Sequence, residues 1–118
     1  MKLTRAAVLA VLERWRRGEL DAAAVAEWAG AAWTAEDAAF DDEQGDLSLA
    51  RETLFALDLL GVHLLTPDDI PALTALLGCP SGGEPQALAN FARYRDAIDR
   101  QARSRELKRD PFYRPFCC

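Results

Sequence analysis

The chain has 118 residues, half of them hydrophobic, with a formal net charge of −5 and a pI of about 4.8. This length fits one domain with a core of its own, and the acidity argues against a nucleic-acid binder that relies on phosphate contacts. Alanine and leucine dominate and β-branched residues are few, a balance that favours helix over sheet. The composition therefore predicts a single all-α domain.

The N-terminus and the cysteines bear on the compartment. The first apolar run is short and ends at Glu13 and Arg14, which favours an amphipathic helix over a signal peptide. No run is long enough to span a membrane. The three cysteines, two of them at the C-terminus, form no disulfide framework, as is typical of a reducing compartment. We expect a cytoplasmic protein without a membrane partner.

Apolar spacing and capping residues predict the helices of the N-terminal third. The first helix covers 4–17 and ends at Gly18. Its inner face, at helical spacing, consists of Val8, Val11, Leu12 and Trp15. Asp21 caps a second helix. The inner face of that helix consists of Val25, Trp28, Ala29 and Ala32. A further cap at Thr34 predicts a short third helix that ends at Phe40.

The most apolar stretch, 46–77, predicts two helices around a short corner. Asp46 or Ser48 caps the first, which is apolar on nearly every side and is therefore expected at the centre of the bundle. Asp58 is its exception, because a lone buried carboxylate is costly and needs a partner or an opening to solvent. Gly61 is expected to end this helix in the left-handed conformation.

The second helix of this stretch has the clearest start signal. Thr66 is the N-cap, Pro67 fits the first helical position, and Asp69 stands where a capping box needs a side-chain acceptor. Pro71 has no N–H to bond back to Pro67. We therefore expect a tight first turn, followed by a regular helix that ends at Gly78.

A glycine- and proline-rich loop, 79–85, separates these helices from the C-terminal part. One long helix is predicted over 85–108, with an arginine-rich end that projects from the body. The tail beyond it carries Phe112, Tyr113 and Phe116, which together would form a large apolar patch if exposed. We expect these rings to fold back on the body, with docking on a partner as the alternative. The whole chain thus predicts an orthogonal bundle of five or six helices.

No motif in the chain names a reaction. His63 is the only histidine, and a structural place in the apolar corner is expected for it. Together with Cys79, Cys117 and Cys118, it lacks the paired ligand spacing of structural zinc sites. The three tryptophans are expected in the core, with a ligand cavity between them as the alternative. We expect no catalytic residue, no metal and no cofactor.

The charge layout is the most informative functional feature. Residues 18–50 include nine acidic residues and no lysine or arginine, whereas 93–114 holds eight of the fourteen basic residues. A one-sign block of this length creates a field that attracts a cationic partner. The densest part is the acidic segment 36–46, and we predict that its partner-binding residues are Glu36, Asp37, Asp41, Asp42, Glu43 and Asp46. An ordinary solvated loop with helix caps is the alternative.

Two stretches of the chain resemble a known family. They are LERWRRGELDAAAVAEWAGAAW at 12–33 and LTPDDIPALTALL at 65–77, in a small acidic chain. They resemble the small helical immunity proteins that accompany bacterial toxins, of the colicin-D and contact-dependent-inhibition types. The resemblance implies a cytoplasmic bacterial protein that binds a cationic toxin domain, often a nuclease, and masks its active site. It carries over no inhibitory residue.

Three functions follow as expectations. The leading one is an immunity protein without catalytic activity, which neutralises a cognate toxin domain and binds no nucleic acid. The first alternative is a helical adaptor or regulatory domain that uses the arginine-rich last helix and the aromatic tail for assembly. The second alternative is a small enzyme or ligand-binding bundle with the tryptophans around a cavity.

Overall fold

The computed structural model describes residues 2–34, 39–40, 49–80 and 82–117. Within these ranges the chain forms six helices: α1 (Arg5–Arg16), α2 (Ala22–Thr34), α3 (Leu49–Asp58), α4 (Ile70–Leu77), α5 (Glu84–Asp96) and α6 (Arg100–Leu107). Short 3₁₀ turns lie at Pro67–Asp69 and Arg114–Phe116, and strand β1 (Lys2–Leu3) pairs in parallel with strand β2 (Ala39–Phe40). The predicted single-domain, all-α fold is confirmed. None of the helices within the described ranges is both long and apolar enough to cross a bilayer.

The first two helices start where their capping residues predict. The Thr4 side chain accepts a hydrogen bond from the Ala7 N–H at 3.1 Å, and the Asp21 carboxylate accepts one from the Ala24 N–H at 2.8 Å. Gly18 adopts φ +80° just after α1, a conformation that glycine takes at little cost. The predicted inner face of α1 is buried in full.

The predicted third helix is wrong at its end. Ala39–Phe40 is extended and pairs with Lys2–Leu3, so no helix runs to Phe40. Residues 35–38 lie outside the described ranges. Capping signals report only on the neighbouring turn of the chain, and they carry no information about strand pairing with a distant segment.

The bundle is organised around α3, as the apolar pattern predicts. Helices α1, α2 and α4 all pack against α3. The inward side chains of α3 and of the corner after it have no exposed surface or almost none, namely Leu49, Leu54, Leu57, Leu60, Leu64 and Leu65. Asp58 is half-buried, and one of its oxygens lies close to Gly30 of α2, where a Cβ would approach it at 3.1 Å. Burial of this leucine cluster is the main apolar contribution to folding.

Gly61 does not adopt the predicted left-handed conformation. In the corner at 59–64, the residue with positive φ is Leu64, at +53°. Gly61 is needed for another reason: a Cβ there would collide with the ring of Phe116 from the tail. The glycine therefore permits close approach of a distant segment, which a helix-ending pattern does not reveal.

The start of α4 agrees with the prediction in detail. Thr66 and Asp69 form the capping box, in which the Asp69 carboxylate accepts a hydrogen bond from the Thr66 N–H at 2.8 Å. The first turn, Pro67–Asp69, is 3₁₀, and α4 follows directly and ends at Gly78. Because Pro71 offers no N–H to the previous turn, the tighter turn is the expected geometry.

The predicted long C-terminal helix is wrong, since the chain breaks between α5 and α6. The break is at 97–99, where the Asp99 carboxylate accepts a hydrogen bond from the Ala102 N–H at 3.0 Å and so caps a new helix. The arginine-rich end does not project. Helix α6 is bonded back to the corner at 59–64, through contacts that only the folded chain brings together.

Candidate functional site

The predicted partner-binding residues lie outside the described ranges. These residues are Glu36, Asp37, Asp41, Asp42, Glu43 and Asp46. Within their segment the structure describes Ala39–Phe40, which pairs in parallel with Lys2–Leu3 at the N-terminus. The acidic segment is thus tied at its centre to the start of the chain, and its binding role stays a prediction.

Arg5 and Glu84 hold the N-terminal strand against the body. The Arg5 guanidinium donates to the carbonyl oxygens of Leu77 and Cys79, at 2.8 and 2.7 Å. It also lies 3.9 Å from one oxygen of the buried Glu84, whose other oxygen accepts from the Gly82 N–H at 2.9 Å. Arg5 lies two residues after the strand that pairs within the acidic segment, so this contact holds the end of that strand near the body.

Described acidic residues continue the negative block onto α2. Glu19 and Asp21 precede this helix and Glu27 lies on its outer face, and all three are exposed. Their exposed neighbours on the helix are the small residues Ala23 and Ala31. The outer face of α2 is therefore acidic and free of bulky side chains, which lets another surface approach its charges closely.

A buried ion pair joins α6 to the start of α4. The carboxylate of Asp69 has no exposed surface and accepts two hydrogen bonds from Arg103, at 2.6 and 2.9 Å. It also accepts one from the Tyr94 hydroxyl at 2.6 Å. Burial raises the pKa of Asp69, but the bonds from Arg103, Tyr94 and the Thr66 N–H outweigh it, so the net pKa lies below the usual value.

The corner at 59–64 and Leu65 after it accept three further hydrogen bonds from C-terminal side chains through their backbone carbonyls. Arg100 donates to the Val62 carbonyl at 2.8 Å, Arg103 donates to the Leu64 carbonyl at 3.0 Å, and the Tyr113 hydroxyl donates to the Leu65 carbonyl. The Tyr113 ring is only 3% exposed. This part of the tail lies on the body, so Tyr113 is engaged within the chain.

Sequence reasoning identified Asp69 only as a helix cap. Its partners were missed, since Arg103 lies in the arginine-rich end that was predicted to project. The available signal was the acid itself: a carboxylate in an apolar stretch needs a charged or hydrogen-bonding partner when it is buried. The sequence does not say which of the many arginines supplies it.

The tryptophans belong to the core and its margin, as predicted. Trp15 is 4% exposed, whereas Trp28 and Trp33 are half-buried and pack against the core cluster. The Trp33 ring contacts Phe55, with 5.5 Å between centroids. These rings serve packing, which leaves the cavity of the ligand-binding alternative without support from the described part of the chain.

His63 lies in the corner, half-buried, as its structural interpretation predicts. Burial lowers its pKa, and the positive charges of Arg95 and Arg100 lower it further. Among the described side chains, no three of His, Cys, Asp or Glu are gathered so as to hold a metal ion.

Comparison of the chain with known proteins found no relative: no family model, no curated protein and no solved structure matches it.

Proposed function

We propose that this chain is a non-catalytic immunity protein, which binds a cationic bacterial toxin domain and neutralises it. The observation that supports the proposal most is the negative block at 18–50, with nine acidic residues and no basic one. Such a block repels itself and lowers stability slightly, so binding is a better reason for it than folding. The acidic segment 36–46 is the proposed centre of the interface.

Charge complementarity accounts for both affinity and speed. A toxin domain with a positive surface is attracted from beyond contact distance, and the long-range part of this attraction is screened by salt. The exposed acids on α2 extend the proposed surface beyond the loop. Since the N-terminal strand pairs with Ala39–Phe40, this part of the segment is held against the start of the chain.

The adaptor function is the second candidate, and one observation favours it. Three basic side chains are exposed at the end of α6 and just after it, namely Arg105, Lys108 and Arg109. Phe116, in the tail that follows, is 39% exposed. Arg103 and Tyr113 are engaged within the chain and are not available for assembly. An adaptor would therefore use the outer face of α6, with the aromatic tail largely in place.

The decisive experiment starts with capture of the partner by the full chain in its native cell, followed by kinetics on the purified pair. Asp41→Asn, Asp42→Asn and Glu43→Gln together remove three charges from the proposed interface. We expect unchanged folding and a fall in the association rate of roughly tenfold or more at low salt, with a weaker salt dependence. The toxin's activity should return at protein concentrations that the parent chain neutralises.

A matched control removes the same charge elsewhere. Asp68→Asn, Asp96→Asn and Glu106→Gln alter three exposed acids outside the block. If the two triple variants slow association equally, net charge rather than the acidic segment steers the partner. If neither does, the segment is not in the interface, and the outer face of α6 becomes the surface to test.

A further inference from the structure

A small apolar groove lies between α3 and α5. Its apolar lining consists of Phe55, Ala56, Leu76, Leu88, Phe91 and Ala92, and the charged side chains that line it are Glu52 and Arg95. The cavity volume is about 260 Å³. Small-molecule sites usually have about 300–1,000 Å³, so the groove suits one inserted side chain better than a whole ligand.

Exposed apolar side chains extend from this groove toward the corner. Phe55 and Val62 are each 45% exposed, and they are two of the four large apolar side chains exposed in the described ranges. Phe55 is held in place by its contact with Trp33. Leu59, between them in sequence, is half-buried. An exposed aromatic ring next to an apolar groove is typical of a docking surface for protein partners.

Positive groups gather at the corner end of this surface. Arg95 lines the groove and is half-buried, and its guanidinium makes no hydrogen bond or ion pair within the described residues. Arg100 is bonded to the carbonyl of Val62, the residue before His63. The charged groups that act on His63 are these two arginines, one from α5 and one from α6. Glu52 lines the same groove, but no hydrogen bond or ion pair joins it to Arg95 among the described residues. A half-buried guanidinium that makes no such bond, near a second arginine, is complementary to an anion.

We propose that this surface binds an acidic peptide segment of a partner protein. The segment inserts one apolar side chain into the groove and places carboxylates against Arg95, His63 and Arg100. Its apolar anchor supplies the desolvated contact, while the cations select for acidic neighbours and against basic ones. The surface includes no residue of the acidic segment 36–46, so the proposal of peptide binding does not depend on the proposed function.

His63 reports on the occupant, because it is the only histidine of the chain. In the empty surface, Arg95 and Arg100 disfavour its protonated form. Carboxylates placed among these groups oppose that field, so a bound acidic segment raises the pKa of His63 and binding takes up protons as this imidazole titrates. An apolar peptide without carboxylates leaves the field unchanged.

The test uses the full chain and two synthetic peptides, one with a tryptophan followed by a run of aspartates and one with lysines in their place. In an NMR titration, the acidic peptide should shift the ring resonances of His63 saturably and raise its pKa. Arg95→Gln should weaken binding roughly tenfold, the value expected for one lost charge-assisted bond. Phe55→Ala should also weaken binding of the acidic peptide, because it removes an aromatic contact for the inserted apolar side chain.

Arg105→Gln is the matched control, since it removes the same charge from the exposed face of α6. It should leave the affinity unchanged, and thermal unfolding should show that all variants are folded. Absence of binding by the acidic peptide overturns the proposal, as does equal weakening by Arg95→Gln and Arg105→Gln. Displacement of the peptide by a single-stranded oligonucleotide would assign the cations to phosphate and also overturn it.

Discussion

Helix α3 and the C-terminal segment 98–117 are held in the fold by different forces. Helix α3 is wrapped by three other helices and buries six of its residues. Helix α6 fully buries only Ser104, and Arg100 and Arg103 bond it to the corner and to Asp69. Apolar burial tolerates small changes of geometry, whereas a buried carboxylate is stable only with its partners in place.

This difference sets how each region responds to mutation. In α3 the cost of a substitution follows the volume removed, because the cavity left behind is only partly refilled. In the C-terminal segment the cost of a substitution depends on which buried polar group loses its hydrogen-bond partner. Point mutations with matched controls separate these two responses.

The largest effect is expected at the centre of α3. Leu57 has no exposed surface, so Leu57→Ala should lower the free energy of unfolding by about 2–5 kcal/mol, as measured by chemical denaturation. Val62→Ala, at a side chain that is 45% exposed, is the control and should cost less than about 0.5 kcal/mol. Equal costs would show that α3 is not the centre of the core.

The next effect is expected at the buried ion pair. Arg103→Met should cost about 3 kcal/mol, because it leaves the Asp69 carboxylate buried with only the Tyr94 hydroxyl and the Thr66 N–H as donors. Arg105→Met alters an exposed arginine of the same helix and should change stability little. Similar values for the two variants would mean that the pair does not hold α6.

Acid should weaken the same contact. The folded-state pKa of Asp69 lies below the ordinary value of an aspartate, so its contribution to stability is fully present above that ordinary value and is lost as the pH falls through the folded pKa. Unfolding free energies measured from about pH 5 downward should therefore decrease less in Arg103→Met than in the parent chain. His63, whose pKa is also lowered, is present in both proteins, so its titration does not distinguish them. Parallel curves for the two proteins would contradict the assignment.

The smallest effect is expected at the tail. Tyr113→Phe keeps the buried ring and removes only the hydroxyl that donates to the Leu65 carbonyl. The expected cost is about 1 kcal/mol, the usual net value of one hydrogen bond. Thermal unfolding measures it, with Tyr94→Phe as a comparison that removes a donor from Asp69. A Tyr113→Phe variant as stable as the parent would show that the tail is held by its rings alone.

The tail also shows how far composition carries a prediction. Its aromatic content predicts that it covers or is covered by something, and the structure has Tyr113 buried and Phe112 packed against the core. Phe116, 39% exposed, contacts the corner at Gly61. Which surface receives the rings was not predictable, because it depends on the direction that the chain takes after the break between α5 and α6.

The candidate sites divide in the same way. The acidic segment 36–46 is visible in the sequence, since charge density requires no knowledge of folding. The groove beside Arg95 is not, because it is lined by residues of α3, α4 and α5 whose spacing predicts only core positions. A surface composed from several segments has no signature in any one of them.

Local interactions explain what the residues alone predict about this protein. The caps at Asp21 and Thr66 and the inner face of α1 depend on residue type and spacing within a few residues, so the sequence is enough to predict them. The partner of Asp69 and the need for glycine at 61 depend on segments far apart in sequence. Such contacts are decided by how the helices pack. A buried charge needs a partner, but its own sequence neighbourhood does not say which distant group the folded chain brings to it.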